Sequence, residues 1–523
     1  MVFTLHRYLF RELFRVFALA ALALTLILSL GIILRPVQEY GVGPRQVIHL
    51  MGYFMPIILT FVLPMAALFA GALVYGRFAG DNELDACRAS GISLLTMIYP
   101  GLALAIMVAV ANLLLSFHVM PAFVHLAEKS LKNNAKQILF RNIQRNRYYE
   151  LPDSRYLIYA EQADLQHNEL SGVIAVELKG SGIGKIISSQ DAKVNFISRD
   201  RINQVQITAN KVYQMGGVDE GEADSLTLTK EFGSLLGDDI KFKKIDEMKR
   251  IQADLMQFKP IDKLARDTYA QLTTELLARD IKTRIAGGTN KFYHLLNEPN
   301  SVRFTAGQCN AKGEEQVELS ENVVVMEYDT NSKQVLSTLS CERASLHIEG
   351  DKRAPTLTMV IYKTKIARHI IRGLIPPQAV ETIANKFRTE NGSLQPEMLA
   401  TPLSGMKPSL ELSLLQNQLR RTIQKTFVEI KAEKHSRLVF GIGCIPMIMI
   451  GIGLGIIKKG GHLLSAFGAS CVPAAVLIVC IMSGKQMTEN LGSQNVSGVS
   501  LMWGGLVSLT LLAVVIYGWL SKN

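Results

Sequence analysis

The sequence predicts a membrane α-helical protein with six transmembrane helices, grouped 3+3, around a large periplasmic β-jellyroll-like domain that carries a helical insertion. Three observations predict it. Of 523 residues, 48% are hydrophobic, which is high for a soluble chain of this length. Charged residues are scarce in both terminal thirds and crowd the middle. The apolar runs in those thirds are each long enough to cross about 30 Å of hydrocarbon, whereas the middle alternates in short segments. The expected division is 1–120 for the first three spans, 121–437 for the outside domain and 438–523 for the last three.

The first span is Val16 to Leu34, about 19 apolar residues behind His6, Arg7, Arg11 and Arg15. It is too long for a signal-peptide core, and the basic cluster places the N-terminus in the cytoplasm. Arg35-Pro36 is expected to end this helix, and Glu39 to Pro44 to turn the chain outside. A second span from Val47 to Gly76 contains Pro56 and Pro64, which predict a kinked helix. A third, Ile92 to Met120, returns the chain outward to Pro121.

Between the second and third spans lies Tyr75 to Ser93, YGRFAGDNELDACRASGIS, a polar stretch trapped at a membrane surface. Asp81 is placed to cap a short helix over about 81–90, with Glu83 and Asp85 in its first turn and Gly91 closing it. Arg77 and Arg88 flank the acids. The topology puts this helix in the cytoplasm. It suits a docking surface, and on composition alone it suits a solvated, well-capped turn slightly better.

From Pro121 to Arg437 no run is apolar enough to span. Tyr156–Tyr159, Gly172–Leu178, Val205–Ala209 and Leu226–Thr229 alternate like strands, as do Val323–Tyr328, Ala344–Ile348 and Leu357–Ile361. Short strands with polar turns predict a β-sandwich or jelly roll. Between the two groups, Ile245 to Leu296 reads as a helical insertion, and Ala379 to Lys434 as a helical return to the membrane. The last spans are Leu438–Ile457, Leu463–Met482 and Val499–Leu520, with Lys458, Lys459 and His462 as a cytoplasmic hinge. Gly441, Gly443, Gly451, Gly453 and Gly455 crowd the fourth span, where small residues permit close packing.

Several chemistries are absent. The net charge of +11 is spread without a dense basic tract, so nucleic acid is a poor partner. The six cysteines show no metal spacing; Cys309 and Cys341 either bridge or stay as two thiols. Gly180 to Ile187, GSGIGKII, lacks the spacing and hydroxyl of a phosphate loop and reads as a hairpin turn. No catalytic residues, metal site or cofactor motif stand out, so the energy for any work must come from a partner.

YGRFAGDNELDACRASGIS, followed by the Pro100-Gly101 span, resembles the loop after the second helix of the LptF/LptG permease family. The N-terminal RYLFRELFRVF, the Glu433-Lys-His435-Ser-Arg437 entry to the fourth span and Gly451-Ile-Gly-Leu-Gly455 are similar too, with Gly453 where the family has proline. The resemblance implies a permease subunit of an ABC exporter in the inner membrane, with both termini cytoplasmic. It would extract lipopolysaccharide beside a paralogous or identical permease subunit and pass it to a periplasmic bridge protein (LptC/LptA-like). A dimer of a separate cytoplasmic ATPase (LptB-like) would drive it, so the chain itself would not be an enzyme. Asp81, Glu83, Asp85 and Arg88 would couple to the ATPase, which turns the reading of that helix towards docking. Arg35, and more weakly Arg45, would hold lipid phosphates; snorkelling among membrane lipids is the alternative for both. Two other readings remain at this level, a membrane-anchored assembly scaffold and a lipoprotein-release-type ABC subunit. The latter has one span before its outside domain, against three here.

Overall fold

The structure is a computed structural model. It describes residues 2–522 except 41–43, 134, 152–155, 180–181, 200–201, 216–220, 232–237, 288–291, 296–299, 312–315, 330–333, 350–355, 363–367, 375–385, 390–391, 404–406, 459–462 and 490–494. The chain divides into two compact units, Met1–Met248 with Val428–Asn523, and Lys249–Phe427.

In the first unit, α1 (Val2–Tyr40) and α2 (Pro44–Gly80) lead to the short α3 (Glu83–Ala89) and then to α4 (Leu94–Leu114). A π-helical turn, Leu115–Val119, joins α4 to α5 (Met120–Asn133), and α6 (Ala135–Asn146) follows. Towards the C-terminus come α10 (Leu410–Ile457), which belongs to this unit from Val428 onward, α11 (Leu463–Glu489) and α12 (Asn495–Lys522). Among the described residues five helices are long and apolar enough to cross a membrane: α1, α2, α4 with α5, α10 and α12. The helix α11 covers the stretch predicted as the fifth span. One apolar core draws on all of these except α5, from Leu9 and Leu13 through Ile58, Met97 and Ile448 to Leu477 and Met502. On the outside, Leu19, Leu22 and Leu26 of α1 and Val507, Leu511 and Val514 of α12 stay exposed, as helices bathed in lipid require. Glycine lets α2 and α10 touch: a Cβ on Gly455 would stand 2.6 Å from the Ala72 carbonyl oxygen.

Two predicted helix ends are corrected. The helix α1 runs past Arg35-Pro36 to Tyr40. Likewise α4, the π turn and α5 continue past Pro121 to Asn133. A proline removes one amide and crowds the carbonyl four residues back; the wider π turn just before Pro121 relieves that crowding, so the helix need not stop.

Six antiparallel strands complete this unit: β1 (Tyr148–Glu150), β2 (Tyr156–Asp164), β3 (Glu169–Lys179), β4 (Gly182–Arg199), β5 (Ile202–Met215) and β6 (Gly221–Glu231). They pair in sequence order, a meander rather than the crossed order of a jelly roll. Of the stretch Gly180 to Ile187, residues 182–187 lie on β4, whose pairing with β3 ends at Lys179 and Gly182; residues 180–181, where the turn was predicted, lie outside the described residues. The buried side of the sheet is not hollow. Ile138, Leu139, Phe140 and Ile143 of α6 share one core with Ile158, Val173, Val194 and Ile207.

The second unit begins in α7 (Ile245–Ala253) and continues with α8 (Lys259–Gly287). Its strands are β7 (Tyr293–Leu295), β8 (Asn300–Thr305), β9 (Gln308–Ala311), β10 (Gln316–Asp329), β11 (Val335–Glu349), β12 (Thr356–Tyr362) and β13 (Arg368–Leu374). The order is β13-β12-β11-β10-β8-β7, with β9 also on β10. Leu277 and Ile281 of α8 pack with Phe304, Leu319 and Leu346. Cys309 on β9 and Cys341 on β11 are free thiols on opposite sides of β10, too far apart to bridge without moving the strands. The predicted helix over Ala379 to Lys434 is corrected where it is described, residues 379–385, 390–391 and 404–406 lying outside the described residues. An Arg388–Leu394 bridge and the four-residue α9 (Pro396–Leu399) precede α10, which starts only at Leu410.

Candidate functional site

The knuckle between α2 and α4 is built from its caps outward. Asp81 does not cap α3. It lies 3.6 Å from Arg77 in an exposed ion pair, and Asn82 takes the N-cap position in the left-handed region at φ 57°. Asparagine tolerates that conformation better than most residues. Gly91 closes the helix as its sequence suggests: at φ 81° its amide donates to the Arg88 carbonyl and the Ile92 amide to Cys87. Ser93 then caps α4, accepting from the Thr96 amide at 3.3 Å.

One apolar side chain anchors α3. Leu84 is 2% exposed and joins the membrane core, with Cys87 packed beside it. Glu83 and Arg88 face outward, and Asp85 is half-buried. The acids stand in the first turn, where the positive end of the short helix favours them, and Arg88 in the last. Neighbouring helices fix the knuckle in place. The Tyr75 hydroxyl donates to the Met97 carbonyl at 2.9 Å, and His6 Nε2 donates to the Thr96 carbonyl at 2.8 Å. Asp81, Glu83, Asp85 and Arg88 are thus gathered on one ordered projection. Arg35 and Arg45 fall on α1 and α2, and their side chains lie outside the described residues.

A second polar centre escaped the sequence reading. Glu433 and Arg437 of α10 are both buried, with Arg437 Nε 2.9 Å from Glu433 Oε1. Lys485 of α11 donates to Glu433 Oε2 at 2.7 Å. Arg437 also donates to the carbonyls of Lys241 at 2.7 Å and Lys243 at 3.2 Å, and its guanidinium lies 5.8 Å from the Phe117 ring in the π turn. A cavity of about 200 Å³ opens here, lined by Asp239, Lys241, Glu429, Glu433, Lys485 and Glu489. Burial alone would raise the Asp239 carboxyl; the Lys241 amide and its ammonium at 2.7 Å outweigh it and hold that carboxyl below the usual range. Glu433 and Arg437, four apart at the entry to an apolar run, were the only sign of this cluster in the sequence.

No curated protein matches the chain. Residues 7–279, more than half of it, match the family described as lipopolysaccharide export system permease LptF/LptG. The match takes in the knuckle and the first sheet. It also takes in α7 and most of α8, the helices of the predicted insertion. The chain belongs to the LptF/LptG family of lipopolysaccharide export permeases and is a membrane component of that transport system.

Proposed function

We propose that this chain is one permease half of an ABC exporter that draws lipopolysaccharide out of the inner membrane and passes it to a periplasmic bridge. In this reading α11 crosses as well, as the fifth of six spans, both termini are cytoplasmic and the sheets are periplasmic. A second permease, identical or paralogous, completes the cavity between spans. Arg35 and Arg45 hold lipid phosphates at its rim. A dry route is required, because each acyl methylene exposed to water costs about 0.8 kcal/mol. A separate cytoplasmic ATPase dimer supplies the work.

The observation that carries the motor assignment is α3 itself. A seven-residue helix pinned by buried Leu84, with Glu83 and Arg88 outward, gives a partner a rigid lever and a charge pattern to read. Glu83 is exposed, so Glu83→Arg leaves the fold intact. The expected result is at least about a tenfold loss of co-purifying ATPase, with lipopolysaccharide release falling in proportion. A variant that retains its ATPase and its export would overturn the assignment of α3 as the lever. A stable wild-type complex containing no ATPase would favour a scaffold.

A further inference from the structure

The unit Lys249–Phe427 holds a basin of its own. It opens among α8, β9 and the residues leading into α10, and its volume is about 450 Å³. That lies within the range of about 300–1,000 Å³ for small-molecule pockets. Arg279 and Lys282 come from α8 and Lys407 from the approach to α10, and all three are exposed. Among the described residues neither Lys282 nor Lys407 has an ion-pair partner.

Among the described residues that line the basin Glu275 is the one carboxylate, and it is already engaged. Glu275 is 9% exposed; its Oε1 accepts from Gln271 Nε2 at 3.0 Å and from the Ser409 hydroxyl, and its Oε2 from the Ser409 amide at 3.2 Å. Ser409 in turn caps α10, accepting from the Leu412 amide at 3.1 Å. Glu275 therefore secures the start of a helix and is not free to neutralise the cations. Cys309 adds no negative charge, since burial pushes its thiol up to about 12 against a small opposing pull from Lys282. Among the described lining residues Lys282 and Lys407 leave a positive excess, beside the side-chain amide of Asn310 and the small apolar surfaces of Ala311 and Pro408.

We propose that this basin binds a phosphorylated sugar. Lys282 and Lys407 take the phosphate as converging point charges, joined by the guanidinium of Arg279. Asn310 offers both a donor and an acceptor to ring hydroxyls, and the apolar surfaces suit the C–H face of a sugar ring. The volume exceeds what a bare phosphate needs. Lys282, Asn310 and Lys407 lie beyond residue 279, where the family match ends, so that match does not assign the site. Its source as the head group of the exported lipid rests on the proposed function; the binding itself does not.

The test uses the full chain in detergent and titration calorimetry with glucose 1-phosphate, inorganic phosphate and glucose. A further arm uses the water-soluble phosphorylated oligosaccharide released from lipopolysaccharide by mild hydrolysis. Glucose 1-phosphate is expected to bind, to weaken as salt is raised, and to weaken at least about tenfold in the Lys282→Gln, Lys407→Gln double variant. Glucose should not bind. Both lysines are exposed, and unchanged thermal unfolding of the variant would confirm that only the site was altered. Equal binding of glucose and its phosphate, or an unaffected double variant, would overturn the site. Inorganic phosphate binding as tightly as glucose 1-phosphate would overturn its sugar specificity. Binding of glucose 1-phosphate without the oligosaccharide would overturn the lipid as its source. No arm needs an ATPase or transport, so these failures leave the exporter reading untouched.

Discussion

At the scale of single residues the most deeply buried ion pair among the described residues is Glu433 with Arg437. Taking two charges out of water costs several kcal/mol each, and the pair persists because nearly every polar atom finds a partner. The Arg437 guanidinium reaches one carboxylate and two carbonyls, and Glu433 is held on both oxygens. Removing one member leaves the other buried and unpaired. Glu433→Ala should therefore destabilise the protein by about 3–5 kcal/mol, read from denaturant unfolding in detergent. Lys485→Ala should cost clearly less, because the Lys485 side chain keeps 30% of its exposure and water can replace it for Glu433. Equal losses would show that Lys485, and not Arg437, is the partner on which Glu433 depends. The pair's spacing was visible in the sequence. Its burial was not, because the covering carbonyls of Lys241 and Lys243 arrive from almost two hundred residues earlier in the chain.

At the scale of elements the same contrast recurs. Periodicity marked the apolar helices and the strands of both sheets, since each reflects a local pattern of burial. Helix ends at Pro36 and Pro121 were misplaced because a proline's effect depends on what the surrounding helix can absorb, and the π turn at Leu115–Val119 has no local signature. Gly91 was legible because a positive φ favours glycine, while Asp81 and Asn82 are both good caps and the sequence did not separate them. The segment from Asp238 to α7 is densely charged. Lys243 pairs with Asp238, and Glu247 accepts from the Lys244 amide at 3.1 Å and meets His125 of α5 at 3.1 Å. Burial would raise Glu247, yet these partners hold it low, as Lys241 does for Asp239. Both carboxyls have depressed folded values. Their stabilisation is complete above the ordinary carboxylate pKa of about 4 and is lost as pH falls through the lower folded values. The thermal unfolding midpoint should therefore fall on acidification below about pH 4, and Asp239→Asn should flatten that acid slope. Parallel slopes for variant and wild type would remove Asp239 from the account.

At the scale of the molecule, α10 sets the distance between its two polar centres. Arg437 marks the buried cluster, and Gly455 touches Ala72 while its carbonyl oxygen lies 3.5 Å from a Cβ built on Gly76, four residues before α2 ends at the knuckle. Eighteen residues separate them along one unbroken helix, about 27 Å at 1.5 Å per residue, close to the thickness of a bilayer's hydrocarbon. The knuckle and the charge cluster are therefore expected at opposite membrane faces. The first sheet, reached only after α4 and α5 have led away from the knuckle, should share the face of the cluster. Lys193 is exposed on β4 and Glu83 on α3, so each accepts a cysteine without disturbing a core. In a background free of the six native cysteines, an impermeant maleimide should label Lys193→Cys in intact spheroplasts and Glu83→Cys only after permeabilisation. Labelling of both from one side would mean that α10 does not cross the membrane, and α3 would then have no route by which a motor inside the cell could reach it.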